Sequence, residues 1–101
     1  MKFVLEYSIR DGGSVAEREQ AEKRSMQLLS KFQPQVQISE WVDRLDGDGG
    51  FAVFESDDAA QILHDIAIWV PLLRFRLHPV IDSISSAAPV QEAIDFRDSI
   101  T

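Results

Sequence analysis

The sequence predicts an α+β fold in which two helices cover one face of a four-stranded antiparallel sheet. Three observations lead to this prediction. Two segments alternate apolar and polar residues, two others repeat apolar residues at helical spacing, and glycine- or proline-rich breaks separate the elements in the order β-α-β-β-α-β. A length of 101 residues allows one such domain and not two.

The first and last strands are predicted from strict alternation. Residues 2–9 place four apolar side chains on one side: Phe3, Leu5, Tyr7 and Ile9. The segment Asp11-Gly12-Gly13 ends this strand. Residues 72–81 repeat the pattern, with Leu73, Phe75 and Leu77 alternating with Arg74, Arg76 and His78. We expect the apolar sets of both strands to face the helices.

The middle of the chain predicts two helices around a hairpin. A capping box opens the first helix at Ser14, with Glu17 three residues later, and Pro34 prevents its continuation past about Phe32. Residues 36–45 and 51–55 are the hairpin strands, joined by an Asp- and Gly-rich turn. The second helix follows an acidic cap, ends at Pro71 and buries one stripe: Ala59, Ile62, Leu63, Ile66, Trp69 and Val70.

Right-handed crossovers place the strands in the order four-one-three-two, which is the ferredoxin-like arrangement. The predicted domain covers residues 1–82. Residues 83–101 form an extension, predicted to be a short amphipathic helix with Pro89 in its first turn. The apolar residues of that helix are Val90, Ala93, Ile94 and Ile100.

Composition limits the classes of function. The absence of cysteine excludes a disulfide scaffold, a thiolate metal site and a cysteine nucleophile, and it is compatible with a reducing cytoplasm. A net charge of −7 disfavours binding to nucleic acid. No apolar run approaches the length of a membrane span. The acidic turn at residues 46–50 fits a hairpin better than a calcium loop, so we predict no metal and no cofactor.

The face of the sheet that the helices leave open predicts self-association. It receives Val4, Glu6 and Ser8 from the first strand, and the last strand adds Arg74, Arg76 and His78. The hairpin strands carry large apolar residues on both of their sides, so some of these must face outward. Because exposed apolar patches usually mark interfaces, we predict a homodimer that pairs through this sheet face.

Several segments resemble a family of short bacterial proteins grouped as a domain of unknown function, DUF3303. The similar positions lie within residues 1–82: Met1-Lys2-Phe3, Tyr7-Ser8, Trp41, the run GFAVFESDD at 50–58, Trp69, Leu72-Leu73, Phe75, Pro79-Val80 and Asp82. The resemblance implies a dimeric α+β barrel, in which two ferredoxin-like sheets pack face to face. It brings no established catalytic residues.

One polar cluster is a candidate catalytic site. Arg74, Arg76 and His78 share one side of the last strand, and Glu6 lies on the neighbouring strand. In a cleft, His78 can act as a base near neutral pH and the arginines can hold an anionic intermediate. The alternative, which alternation alone favours, is ion pairing across strands or across the dimer.

The aromatic residues are candidates for ligand contact. Trp41 is predicted either to line a ligand pocket or to anchor an interface. Trp69 and Tyr7 are in phase with core residues, and packing is the expectation for both. His64 is expected to face solvent, because the sequence places no second metal ligand one turn away.

Two functions from different classes remain open from the sequence. The first is a homodimer that binds a small ligand or a protein partner without catalysis, which the apolar hairpin and the lack of a catalytic motif favour. The second is an enzyme without a demanding cofactor, similar to the monooxygenases and isomerases of the dimeric α+β barrel fold, with its site in the sheet cleft. That second hypothesis rests on analogy of fold.

Overall fold

The computed structural model describes residues 1–10 and 13–100. Asp11 and Gly12, which belong to the predicted break after the first strand, lie outside this part of the chain, as does Thr101. The elements follow in the order β1 (Lys2–Ile9), α1 (Val15–Lys31), β2 (Gln37–Asp43), β3 (Gly50–Glu55), α2 (Ala59–Trp69), β4 (Leu73–Val80) and α3 (Ser83–Ser99).

The sheet has the strand order β2-β3-β1-β4, and every neighbouring pair is antiparallel. This confirms the ferredoxin-like order predicted from the sequence. The central pairing of β1 with β3 places Phe3 opposite Phe54 and Leu5 opposite Ala52. On its other side, β1 places Leu5 opposite Leu77 of β4.

A bulge in β2 decides which side of the hairpin faces the helices. Ile38 pairs with Phe54, but Glu40 already pairs with Val53, so Ser39 is the additional residue. The register then places Trp41 opposite Ala52. Without the bulge, Ile38 and Trp41 would lie on opposite faces of the sheet, since side chains alternate along a strand.

Both main helices begin at capping residues. The Ser14 side-chain oxygen accepts a hydrogen bond from the Glu17 backbone N–H at 3.2 Å. Asp58 caps α2, because its Oδ1 accepts from the Ala60 N–H at 2.9 Å. Each contact satisfies a donor that the first turn of a helix leaves unpaired.

The core lies between α2 and the covered face of the sheet, whereas α1, which was predicted to cover the same face, has no buried residue. Leu5, Leu73 and Phe75 line the space beneath Ile62 and Ile66. The best-buried aromatic side chain is Phe54, at 3% exposed. Its ring stacks on Phe3, with the centroids 5.2 Å apart.

The predicted stripe of α2 is wrong at three positions. Ala59 and Val70 are exposed, and Leu63 is 68% exposed, whereas Asp65 is buried. The Asp65 Oδ2 accepts hydrogen bonds from the backbone N–H groups of Gln35 and Val36, at 2.8 and 3.0 Å. Burial of a carboxylate is possible here because these donors replace water. Asp65 thereby fastens the segment between α1 and β2 to the second helix.

The C-terminal helix is longer than predicted. It begins at Ser83, so Pro89 lies inside the helix rather than in its first turn. Proline at this position removes one backbone hydrogen bond, to the Ser85 carbonyl, and Ser85 is exposed to water that can hydrate it. No residue of α3 is buried.

Among the residues that the structure describes, no helix combines the length and the apolar character that crossing a membrane requires.

Candidate functional site

The four candidate catalytic residues come together on the open face of the sheet. The register of β1 and β4 pairs Glu6 with Arg76 and Ser8 with Arg74. His78 lies one pair further along, and its Nε2 is 3.5 Å from the Glu6 Oε2. Glu6, Ser8, Arg74 and Arg76 line a depression that is open to solvent.

Solvent weakens the electrostatic interactions of this cluster. The His78 side chain is 52% exposed and that of Glu6 is 39% exposed, so water screens their attraction. Two arginines beside a histidine can bind an anion, and the histidine can exchange a proton with it. The cluster therefore has the composition of an anion site, but it has no enclosing wall within one chain.

Apolar side chains occupy the other half of the same open face. The register places Val42 and Glu6 on either side of Phe51, and Val4 beside Val53. Phe51 and Val42 are both substantially exposed. The open face thus has a charged half on β4 and an apolar half on the hairpin, and the exposed side chains of Glu40 and Glu55 border the apolar half.

A separate cavity lies on the covered side, between the sheet and the helices. Its volume is about 50 Å³, and it opens to solvent on one side. Most of its walls are aliphatic or aromatic: Leu5, Tyr7, Phe32, Val36, Ile38, Trp41, Ala52, Phe54, Ile62, Ile66, Trp69, Leu73 and Phe75, together with Asp65. Small-molecule sites generally have walls of this character.

Three aromatic rings meet edge to face in the wall of this cavity. The centroid of Phe32 is 5.8 Å from that of Trp41 and 5.5 Å from that of Trp69, and the two indoles are 6.2 Å apart. Such perpendicular contacts are favourable between rings. Trp41 is the predicted ligand-binding residue. At 40% exposed, it is the most exposed of these three residues.

A hydrogen-bonded network holds Trp41 in place. Its indole Nε1 donates to the Tyr7 hydroxyl oxygen at 2.8 Å, and that hydroxyl donates to the Asp43 Oδ1 at 2.6 Å. Burial, reinforced by the hydrogen bond to Asp43, raises the pKa of Tyr7 far above its ordinary value. Gly50 leaves the space for this hydroxyl, because a Cβ at that position would overlap the Val42 carbonyl and the Tyr7 ring. Tyr7 therefore acts as a neutral hydroxyl that positions Trp41.

Trp69 carries a buried polar group that the sequence did not reveal. Its ring lines the cavity, whose exposed surface is entirely apolar, while its Nε1 is buried away from that surface and has no hydrogen-bond partner among the described residues. Buried donors are almost always paired, so this one requires an explanation. The helical spacing correctly predicted that Trp69 is buried, but no sequence pattern could show that its donor lacks an acceptor.

His64 and Asp65 form the remaining contact of note. The His64 Nδ1 lies 2.9 Å from the Asp65 Oδ1, and the imidazole is about half exposed at the surface of α2. Within residues 1–10 and 13–100, no group of three or more histidine, cysteine or acidic side chains is arranged to hold a metal ion.

Comparison with known proteins places the chain in a family. A family profile described as a domain of unknown function, DUF3303, matches residues 1–94. The chain belongs to this family. The match confirms the resemblance seen in the sequence, and it extends past residue 82 into α3. No curated protein matches the chain.

Proposed function

We propose that this DUF3303 chain functions as a homodimer that binds a small, largely apolar ligand between its sheet and its helices. The observation that supports this proposal is the cavity itself, whose exposed surface is entirely apolar. A small flat ligand without polar groups matches these walls. Trp41, at the more open side, is the proposed contact with the outer part of the ligand.

The homodimer part of the proposal is supported by the open face of the sheet. Val42 and Phe51 expose apolar surface next to a charged cluster, and a twofold-related copy presents the same surface in return. Sheet-to-sheet pairing of this kind gives a dimeric α+β barrel. A cytoplasmic location is part of the proposal, since the chain contains no cysteine for an oxidising compartment.

The ligand site can be tested with two probes of similar shape. Ethylbenzene is apolar throughout, whereas acetophenone carries a carbonyl that the apolar cavity leaves without a donor. The two tryptophans give two indole N–H signals in a ¹H–¹⁵N NMR spectrum. We expect ethylbenzene at millimolar concentration to shift the indole signals of Trp41 and Trp69, whose rings line the cavity, and acetophenone to shift them much less.

Ile66→Phe is the test variant, because Ile66 lines the cavity and the larger ring occupies its space. It should weaken ethylbenzene binding at least about tenfold, whereas Leu63→Phe, at an exposed position of the same helix, should leave it within about twofold. If neither probe shifts either indole signal, the ligand part of the proposal is wrong.

The dimer is tested separately by sedimentation velocity of the full chain at micromolar concentration. We expect a dimer, and we expect Phe51→Asp to convert it to a monomer, because a charge in an apolar interface is costly to desolvate. A wild-type chain that sediments as a monomer contradicts the homodimer without affecting the result with ethylbenzene.

The 3.5 Å contact of His78 with Glu6 beside Arg76 favours a second candidate function, an enzyme of the monooxygenase or isomerase kind that needs no added cofactor. In this proposal His78 accepts a proton while Arg74 and Arg76 hold the anion that forms. Benzoate is a suitable anionic probe. It should shift the ring protons of His78, and Arg76→Gln should weaken that response at least about fivefold, while Arg18→Gln on α1 should not. An unresponsive His78 contradicts this candidate.

A further inference from the structure

Helix α3 projects away from the rest of its own chain. The molecule measures 62 × 27 × 22 Å, and its radius of gyration is 18.2 Å, against roughly 13 Å for a compact chain of this length. Large apolar side chains of α3 face solvent: Ile84 is 93% exposed and Phe96 is 67% exposed. The domain to which α3 is attached therefore does not bury it.

A helix of this kind needs a surface to pack on. Its 17 residues exceed only slightly the length at which isolated helices become marginally stable in water. Pro89 weakens it further by removing an internal hydrogen bond. Helices in proteins are stabilised mainly by packing of an apolar side.

The two sides of α3 differ in character from Ala87 onward. At about 100° per residue, most of the apolar side chains fall on one half of the circumference: Ala87, Val90, Ala93, Ile94, Phe96 and Ile100. Arg97 is the one charged residue on that half, and the other half carries Glu92, Asp95 and Asp98. Because membrane-surface helices are usually rich in lysine and arginine on their polar side, an anionic lipid surface is a poor match for α3.

The charged half of the open sheet face has the complementary composition. The strand β4 carries Arg74, Arg76 and His78 on this face, and residues 73–80 include no acid. Arg76 forms no ion pair with another of the described residues. An acidic helix with an apolar side can pack here, since the arginine stems offer apolar surface and their heads meet the carboxylates.

The position of α3 favours a second copy of the chain as the occupant. The helix begins three residues after Val80, the last open-face residue of β4, so it continues from the margin of the proposed interface. An ion pair of 2.7 Å between the Lys2 Nζ and the Asp82 Oδ1 fixes its point of departure. Each chain thus has one arm and one complementary strand, and a closed twofold pair satisfies both.

We propose that α3 is an exchanged arm: in the homodimer, each copy packs its α3 against the other copy, beside the Arg74, Arg76 and His78 row of β4. The proposal rests on the homodimer proposed above and assigns a different contact to each half of the open face. The apolar hairpin halves pair sheet to sheet, and the arms close over the charged halves.

A charge-exchange experiment tests whether the contact forms between copies. One variant carries Arg74→Glu with Arg76→Glu, and the other carries Glu92→Lys with Asp95→Lys. Each variant alone should dimerise at least about tenfold more weakly than the wild type, because both arms meet like charge. A mixture of the two should form a heterodimer at near wild-type affinity, because both arms then meet opposite charge. Sedimentation with one variant fluorescently labelled measures the three affinities.

A second pair of variants tests the apolar side. Val90→Asp with Ile94→Asp should weaken dimerisation at least about tenfold. Ile84→Asp with Ala88→Asp adds the same charges on the other half of the helix and should change it less than about threefold.

The outcomes separate the arm from the dimer. One set of results would contradict the exchanged arm alone. In that case Phe51→Asp abolishes the dimer, but the variant with Val90→Asp and Ile94→Asp dimerises like the wild type and the two charge variants form no preferred heterodimer. The sheet-to-sheet dimer would then stand without the arm. If the wild-type chain is a monomer, both are wrong.

Discussion

The two faces of one sheet use similar residues for different purposes. On the covered face, β3 contributes Ala52 and Phe54, which are almost completely buried. On the open face, the same strand contributes Phe51 and Val53, and Phe51 is 39% exposed. Alternation within six residues therefore separates the side chains that hold the monomer together from those available for association.

Substitution of the two phenylalanines of β3 should give the largest difference in the free energy of unfolding. Phe54→Ala should lower the free energy of unfolding by about 3–5 kcal/mol, because it leaves a cavity beside Phe3. Phe51→Ala should lower that of the monomer by less than about 1 kcal/mol. Urea denaturation at low protein concentration measures both. Equal losses would show that the open face contributes to folding as much as the core does.

Asp65 should give the next largest effect. Asp65→Ala removes the acceptor of the buried Val36 N–H and of the partly buried Gln35 N–H, and we expect a loss of about 3 kcal/mol in the free energy of unfolding. His64→Ala, which leaves those bonds intact, should cost less than about 1 kcal/mol. Similar costs for the two variants would mean that the imidazole contact, rather than the backbone contacts, holds the segment.

Tyr7 predicts a loss of stability at alkaline pH. Because its pKa is raised on folding, the neutral hydroxyl stabilises the folded state below the ordinary pKa of about 10, and this contribution falls as the pH rises above that value. Tyr7 is the only tyrosine, so absorbance near 295 nm reports its ionisation alone. We expect ionisation to coincide with unfolding seen by circular dichroism. Ionisation near pH 10 with the fold intact would contradict the buried network.

Substitution of Tyr7 tests the same network at neutral pH. Tyr7→Phe removes the acceptor of the Trp41 indole and should cost about 1–2 kcal/mol, measured by urea denaturation. The tryptophan emission should also shift, since the Trp41 ring loses its fixed position. Unchanged stability would mean that water replaces the hydroxyl without cost.

The smallest change in the free energy of unfolding is expected for a substitution on the open face. Glu6→Gln removes the contact with His78, and we expect less than about 0.5 kcal/mol because both groups are substantially exposed. Thermal denaturation at low and high salt measures it. A larger loss that disappears at high salt would show that this face contributes to the stability of the monomer through charge.

The sequence was sufficient for the elements and their order, because hydrophobic period and turn residues specify both. Ser14 and Asp58 cap helices where the pattern predicted caps. Ala59, Leu63 and Val70 were placed in the core wrongly, since an apolar stripe predicts its centre better than its edges and ends. Asp65 had a readable signal, because it lies three residues after Ile62 and four before Trp69, but its backbone partners come from a distant segment.

The candidate sites were less accessible to sequence reasoning. The Glu6 and His78 contact followed from alternation and strand order alone. The cavity did not, because it depends on how far α2 stands from the sheet. The exposure of α3 was equally hidden, since Val90 and Ile94 predict an apolar side and say nothing of what covers it.

Because Ser39 is an extra residue in β2, the number of residues in this strand, as well as their type, decides which side chains face the helices. Removing Ser39 would turn either Ile38 or Trp41 away from the helices without altering a single core side chain. Related chains that differ by one residue in this strand should therefore be aligned by the direction of their side chains, because a gap placed there exchanges inside for outside.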